Sequence, residues 1–115
     1  MVPLPTPAHR LVVDGRDVAA LERATSMRER SRGLLGRDAL VGALWLDPCR
    51  HVHTWRMRFA IDVALVDRDG LVLHTRTMAP GRFGTVRRAT RSVIEAEAGA
   101  FERWGLRPGA RVAVG

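Results

Sequence analysis

Ile61-Asp62-Val63-Ala64-Leu65-Val66-Asp67-Arg68-Asp69-Gly70-Leu71-Val72-Leu73-His74-Thr75-Arg76-Thr77-Met78 reads as two extended runs folded back on each other. Asp67-Arg68-Asp69-Gly70 supplies the turn, because Asp can bond its own backbone two residues on and Gly accepts the positive φ that tight turns need. The two arms, Ile61–Asp67 and Leu71–Met78, are short and aliphatic, which is the pattern of paired strands rather than of a helix.

The same grammar continues on both sides. Downstream, Ala79-Pro80-Gly81-Arg82-Phe83-Gly84 breaks any ladder and reads as a loop. Ser92–Ala98 follows as a strand, Gly99 to Gly105 has room for one helical turn, Arg107-Pro108-Gly109 suits a type II turn, and Arg111–Val114 closes as a strand. Upstream, Ala43–Leu46 and Cys49–Phe59 read as strands. Leu11-Val12-Val13 and Val18-Ala19-Ala20 flank Asp14-Gly15-Arg16-Asp17 as a hairpin. One helix is expected near residues 27–35. Ser26 and Glu29 form a capping box, Met27, Ser31, Leu34 and Leu35 share a face, and Gly36 ends it. Prolines at 3, 5 and 7 make residues 1–10 a loose arm whose removal should be tolerated, leaving 11–115 as a single domain. The fold class is therefore mainly β, bordering on α+β: an antiparallel sheet with one short helix.

Composition bounds the function. With 115 residues, 46% hydrophobic and 27% charged, the chain matches one globular core and lacks the low hydrophobicity of a disordered segment. The longest near-continuous apolar run, Ala39 to Leu46, is far short of the roughly 20 residues of a membrane helix, so no span is expected. The start lacks a basic region followed by an apolar stretch. The single cysteine, Cys49, cannot form an internal disulfide, so the cytoplasm is the expected compartment. A net charge of +7 invites a nucleic-acid reading. That reading is not favoured, because all 19 basic residues are Arg while Lys, Asn, Gln and Tyr are absent, a bias expected of GC-rich coding.

Cys49–Phe59 carries the sharpest alternation. Extended, it would place Cys49, His51, His53, Trp55, Met57 and Phe59 on an inner face and Arg50, Val52, Thr54, Arg56 and Arg58 on an outer one. Two imidazoles two residues apart could converge on one metal ion with Cys49 as a third ligand. No second clustered pair supports this, so no metal and no cofactor are expected, and packing is the better account. The arginines, with Arg87, Arg88 and Arg91 later, suit phosphate, yet a solvated face that deters edge aggregation explains them as well. A cysteine nucleophile would need a base within reach, and side chains along one extended face splay apart, so no catalytic residue is assigned. Asp67 with Asp69 is explained by the turn, and Glu95 with Glu97 by a solvated strand face.

Taken in order, Ala24-Thr25, Arg32-Gly33-Leu34-Leu35-Gly36-Arg37, Val52-His53-Thr54-Trp55-Arg56-Met57-Arg58-Phe59-Ala60-Ile61-Asp62-Val63 and Asp67-Arg68-Asp69-Gly70 resemble the family called domain of unknown function 192. Arg91-Ser92-Val93-Ile94-Glu95-Ala96-Glu97-Ala98-Gly99 and Gly105-Leu106-Arg107-Pro108-Gly109 continue the match, which covers about residues 20–114. The resemblance implies a small β-rich domain with a barrel-like core. It implies no reaction, cofactor or substrate. Arg32, Gly33, Arg37, Met57, Asp62, Glu95 and Gly99 match the family's shared positions, whereas Ala60 stands where the family carries proline and the loop around Arg82-Phe83-Gly84 is shortened. Many relatives carry an export signal, which this sequence does not show.

On these grounds the chain reads as a non-enzymatic binding or accessory module. Its candidate ligand pocket comprises His53, Met57, Asp62, Glu95 and Arg37. Asp62 is expected to turn inward and pair with Arg37 or Arg32, since a buried carboxylate needs a partner. The alternatives are a small hydrolytic or metal-dependent enzyme using the Cys49–His53 face, and an arginine-mediated nucleic-acid or phosphate binder. A small ligand or a protein partner is compatible with the binding reading.

Overall fold

Asp14 and Gly15 both take positive φ, 49° and 82°, as the two central residues of a type I′ turn require. They join β1 (His9–Val13) to β2 (Arg16–Ala24) as the expected hairpin. β3 (Ala43–Leu46), β4 (Ile61–Val66), β5 (Val72–Met78), β6 (Ser92–Glu97) and β7 (Val112–Val114) complete the sheet, and α1 (Ala100–Trp104) is a single short helix between β6 and β7. The computed structural model describes residues 9–27, 30, 37–50, 52–54 and 57–115. The helix expected at 27–35 falls mostly outside them. Within the arm expected at 1–10, His9 and Arg10 already belong to β1, because the hairpin continues outward to pair His9 with Leu21.

The sheet order is β5-β4-β6-β3-β2-β1-β7. Every neighbouring pair is antiparallel except β2 with β3, which run parallel, so the segment between them crosses from one end of the sheet to the other. The β4–β5 turn forms as its sequence dictates: the Asp67 carboxylate accepts the amides of Asp69 (2.8 Å) and Leu71 (2.9 Å). The sheet curls until its two edge strands meet at one end. Leu71 bridges Arg111, the Val72 amide donates to Ala110 O (2.9 Å) and the Val112 amide donates to Gly70 O (2.8 Å). Gly70 sits in this seam at φ 86°, where a Cβ would lie 2.5 Å from Val112 O.

Alternate residues of the central strands feed two separate cores. Ala43, Trp45, Ala64, Val66, Ile94 and Ala96 face the concave side, which Leu11, Val13, Phe101, Leu106 and Val112 fill. Leu44, Leu46, Val63, Leu65 and Val93 face the convex side, covered by Leu40, Val52 and Met57 from the long connections. β4 is thereby buried along its whole length, which is why its sequence is almost continuously apolar.

None of the described residues of Cys49–Phe59 belongs to one of the strands. Among these described residues only His53 makes a bridge, to Phe83, and the burial departs from the expected faces at residues 52–54. Val52 and Thr54, expected outside, are buried and His53, expected inside, is exposed, whereas Met57 is buried and Arg50 and Arg58 are exposed as expected. The cause is the loop laid along it. Thr54 Oγ1 donates to Ala79 O (2.7 Å) and accepts the Arg82 amide (2.7 Å), the Thr54 amide donates to Arg82 O (2.7 Å), and the Gly84 amide donates to Val52 O (2.8 Å). The backbone of Val52 and Thr54 is satisfied by a loop rather than by a ladder, and Val52 and Met57 cover the convex core. His51, Trp55 and Arg56, expected on its two faces, lie outside the described residues.

Candidate functional site: a cleft beside an edge strand

Asp62 does turn inward, but onto the concave side with Ala64 and Val66. Its carboxylate accepts three hydrogen bonds: from Thr77 Oγ1 across the β4–β5 pair (2.6 Å), from the Gly99 amide (3.0 Å) and from the Phe101 amide (3.1 Å). Gly99 is the N-cap of α1 and brings no side chain of its own, so Asp62 takes over the capping from a neighbouring strand. The expected Asp62–Arg37 pair does not form. Arg37 pairs instead with Glu22 on β2 (2.9 Å), near the far side of the sheet, and Arg32 lies outside the described residues. Two amides and a hydroxyl satisfy the buried carboxyl group without a cation.

Glu95 occupies the opposite face. It pairs with Leu44 on one side and Val63 on the other, in phase with Val93 of the convex core. Only 5% of it is exposed, and no hydrogen bond or ion pair engages its carboxylate among the described residues. Burial pushes this carboxyl up from an ordinary 4.5 to about 7. The solvated face expected for Glu95 is corrected here, because the connections preceding β3 and β4 cover that side; Glu97, at the strand end, is exposed.

The five pocket residues therefore do not converge. Met57 and Glu95 share the convex face, Asp62 is behind the sheet from them, His53 is exposed beside Phe83, and Arg37 belongs to a surface pair. Cys49 is half-buried against the convex core and its amide donates to Arg91 O (2.8 Å). Among the described residues no three His, Cys, Asp or Glu side chains gather as a metal site would require. Of the arginines singled out, Arg58 pairs with Asp38 and Arg91 with Asp47, while Arg50, Arg87 and Arg88 are exposed.

What the structure offers instead is a cleft of about 340 Å³ directly above the Asp62 bonds. Thr75, Arg76 and Thr77 of β5 form one wall, and Gly99, Phe101, Glu102 and Leu106 of the α1 region form the other. β5 is an edge strand. Beyond the seam at Leu71 and Val72 it pairs only with β4, so the outward backbone groups of residues 73–78 have no partner among the described residues. Arg76 lies on the convex phase with His74, and its guanidinium donates to Phe83 O (3.2 Å). Burial, reinforced by Arg87 and Arg76, holds the His74 imidazole below its usual pKa.

Sequence reasoning did not single out Thr77, Arg76, Phe101 or Thr54. Thr77 was within reach of hairpin counting, but the register shifts between Leu65 and Val66. Extending the Val66–Val72 pair without that shift would set Arg76, not Thr77, opposite Asp62.

No helix among the described residues is long and apolar enough to cross a membrane. Curated proteins give no match to the chain. Two crystal structures share its fold. A protein of unknown function from Novosphingobium aromaticivorans is 22% identical, with a TM-score of 0.78 over 98% of this chain and 93% of its own. A protein from Sinorhizobium meliloti described as a "putative transcription regulator" is 21% identical, with a TM-score of 0.76 over 92% of each chain. The family profile described as "Uncharacterized ACR" matches residues 10–114, nearly the whole length, and the chain belongs to that family, DUF192.

Proposed function

We propose that this chain is a binding module, and that its ligand occupies the cleft between β5 and α1. One observation carries the reading: a concave site whose floor is already satisfied by Asp62, with hydroxyls (Thr75, Thr77) and a carboxylate (Glu102) at its rim and Phe101 and Leu106 within it. Small-molecule sites combine an apolar lining with a few placed polar groups in this way. The Asp62 carboxylate is consumed in holding the two walls together, so its part is to position the cleft rather than to react. The same bonds tie Thr77 to the first turn of α1, which keeps the walls at a fixed separation.

The test is a fragment library of polar small molecules and short peptides screened by heteronuclear NMR, with Thr75→Trp as the filled-cleft control. Ligands that shift the resonances of Thr75, Thr77 and Glu102 in the natural sequence and lose those shifts in the variant are the expected result. A library that moves no cleft resonance, or moves them equally in Thr75→Trp, refutes the site.

A further inference from the structure

We infer that the cleft takes an extended segment of a protein partner, added as a strand to the free edge of β5, with carboxylate side chains on one face and apolar side chains on the other. The inference rests on the cleft being the ligand site and names the class of ligand.

Three observations converge on it. The first is the edge itself: from residue 73 to 78 the outward N–H and C=O groups of β5 are unpaired among the described residues, and such a row is a template for one more strand. The second is that the cleft runs along this edge, so the added strand has somewhere to place side chains. Cross-strand neighbours share a face. Residues set opposite Thr75 and Thr77 would project into the cleft toward Phe101 and Leu106, and residues set opposite His74 and Arg76 would project to the convex side.

The third observation is charge. Between Gly70 and Ile94 the chain carries five arginines and no carboxylate, and of the five Arg91 is paired with Asp47. Arg76 and Arg87 both act on His74, and Arg82 and Arg88 are exposed in the following loop. The convex side of the β5 edge is therefore a cationic margin that favours acidic side chains on the incoming strand. Glu102 and Asp62 lie on the cleft side, where they disfavour acids and leave the apolar partners their place. The same charges argue against a second copy of this chain as the occupant, because β5–β5 pairing would bring two margins that each carry Arg76 and Arg87 against one another. A nucleic acid would read the arginines but would leave the backbone edge unpaired.

The probe is a blocked peptide alternating Glu and Val, seven residues long to match β5. On titration, the outward amides of residues 73–77 should gain protection from hydrogen exchange. N-methylating the peptide backbone at alternate positions should abolish that protection, and Arg76→Glu should weaken binding about tenfold by setting like charges opposite each other. An alternating Lys–Val peptide should bind at least as weakly as Glu–Val does to Arg76→Glu. Four results would overturn strand addition: no binding of Glu–Val while library fragments still occupy the cleft; equal binding of the N-methylated peptide; shifts confined to Arg82, Arg87 and Arg88, as a polyanion surface would give; and dimerisation through β5 in the absence of peptide. If neither fragments nor peptide perturb the cleft, the site and its ligand class fall together.

Discussion

At the scale of single residues, two buried carboxylates separated by one sheet follow opposite physics. Asp62 is satisfied by three donors. Replacing it with Ala leaves two amides and a hydroxyl without their acceptor, and chemical denaturation should register a loss of roughly 3 kcal/mol, with Asp62→Asn losing less because one oxygen still accepts. A loss below about 1 kcal/mol would show that α1 does not depend on this cap. Glu95 is buried without such help. Its folded pKa of about 7 lies above the ordinary 4.5, so the folded state holds the proton more tightly than the unfolded one does. Between those values stability falls as pH rises, and above pH 7 the full penalty applies. Glu95→Gln should flatten that slope and raise stability at pH 8 by up to roughly 3 kcal/mol, with little change at pH 4. Denaturation curves at the two pH values decide it, and a natural protein equally stable at both would contradict the shift. The inward turn of Asp62 was legible from its place between Ile61 and Val63. Its partners were not, because a one-residue register shift and a helix more than thirty residues away supply them.

At the scale of elements, most strands were legible because turn chemistry punctuates them: Asp14-Gly15, Asp67 to Gly70 and Arg107 to Gly109 all turn where the sequence indicates. The failure at Cys49–Phe59 has a specific cause. Period-2 alternation reports a strand only when a ladder takes the backbone, and here the backbone of 52–54 is taken by the loop at 79–84. Thr54→Val keeps the shape but removes the hydroxyl that binds Ala79 O and the Arg82 amide; a loss of about 1–2 kcal/mol and faster proteolytic nicking between Ala79 and Gly84 are expected. Unchanged nicking would show that the loop is held by other contacts. The seam offers a sharper probe. Gly70→Ala brings both a left-handed backbone and a Cβ 2.5 Å from Val112 O, and should cost at least about 2 kcal/mol while exposing the amides of Val72 and Val112 to exchange.

At the scale of the whole molecule, one sheet carries two cores, and β4 and β6 contribute to both. The two sides should therefore melt together. Leu11→Ala on the concave side and Leu65→Ala on the convex side should each cost about 2–5 kcal/mol and shift the same single transition, seen alike by tryptophan fluorescence and far-ultraviolet dichroism. Separate transitions for the two variants would mean that the sides fold independently. The curled shape was expected from family resemblance, but the parallel β2–β3 contact was not, since it depends on a long crossover whose path no local pattern records. The seam also gives the protein a history during its own synthesis. Its two margins are joined by residues near 71 and 111, so on the ribosome the ring stays open after β1 to β6 have emerged, and closes only when Val112 arrives. A chain interrupted before that point exposes unpaired edges on both margins, and truncated products should aggregate far more readily than full-length protein.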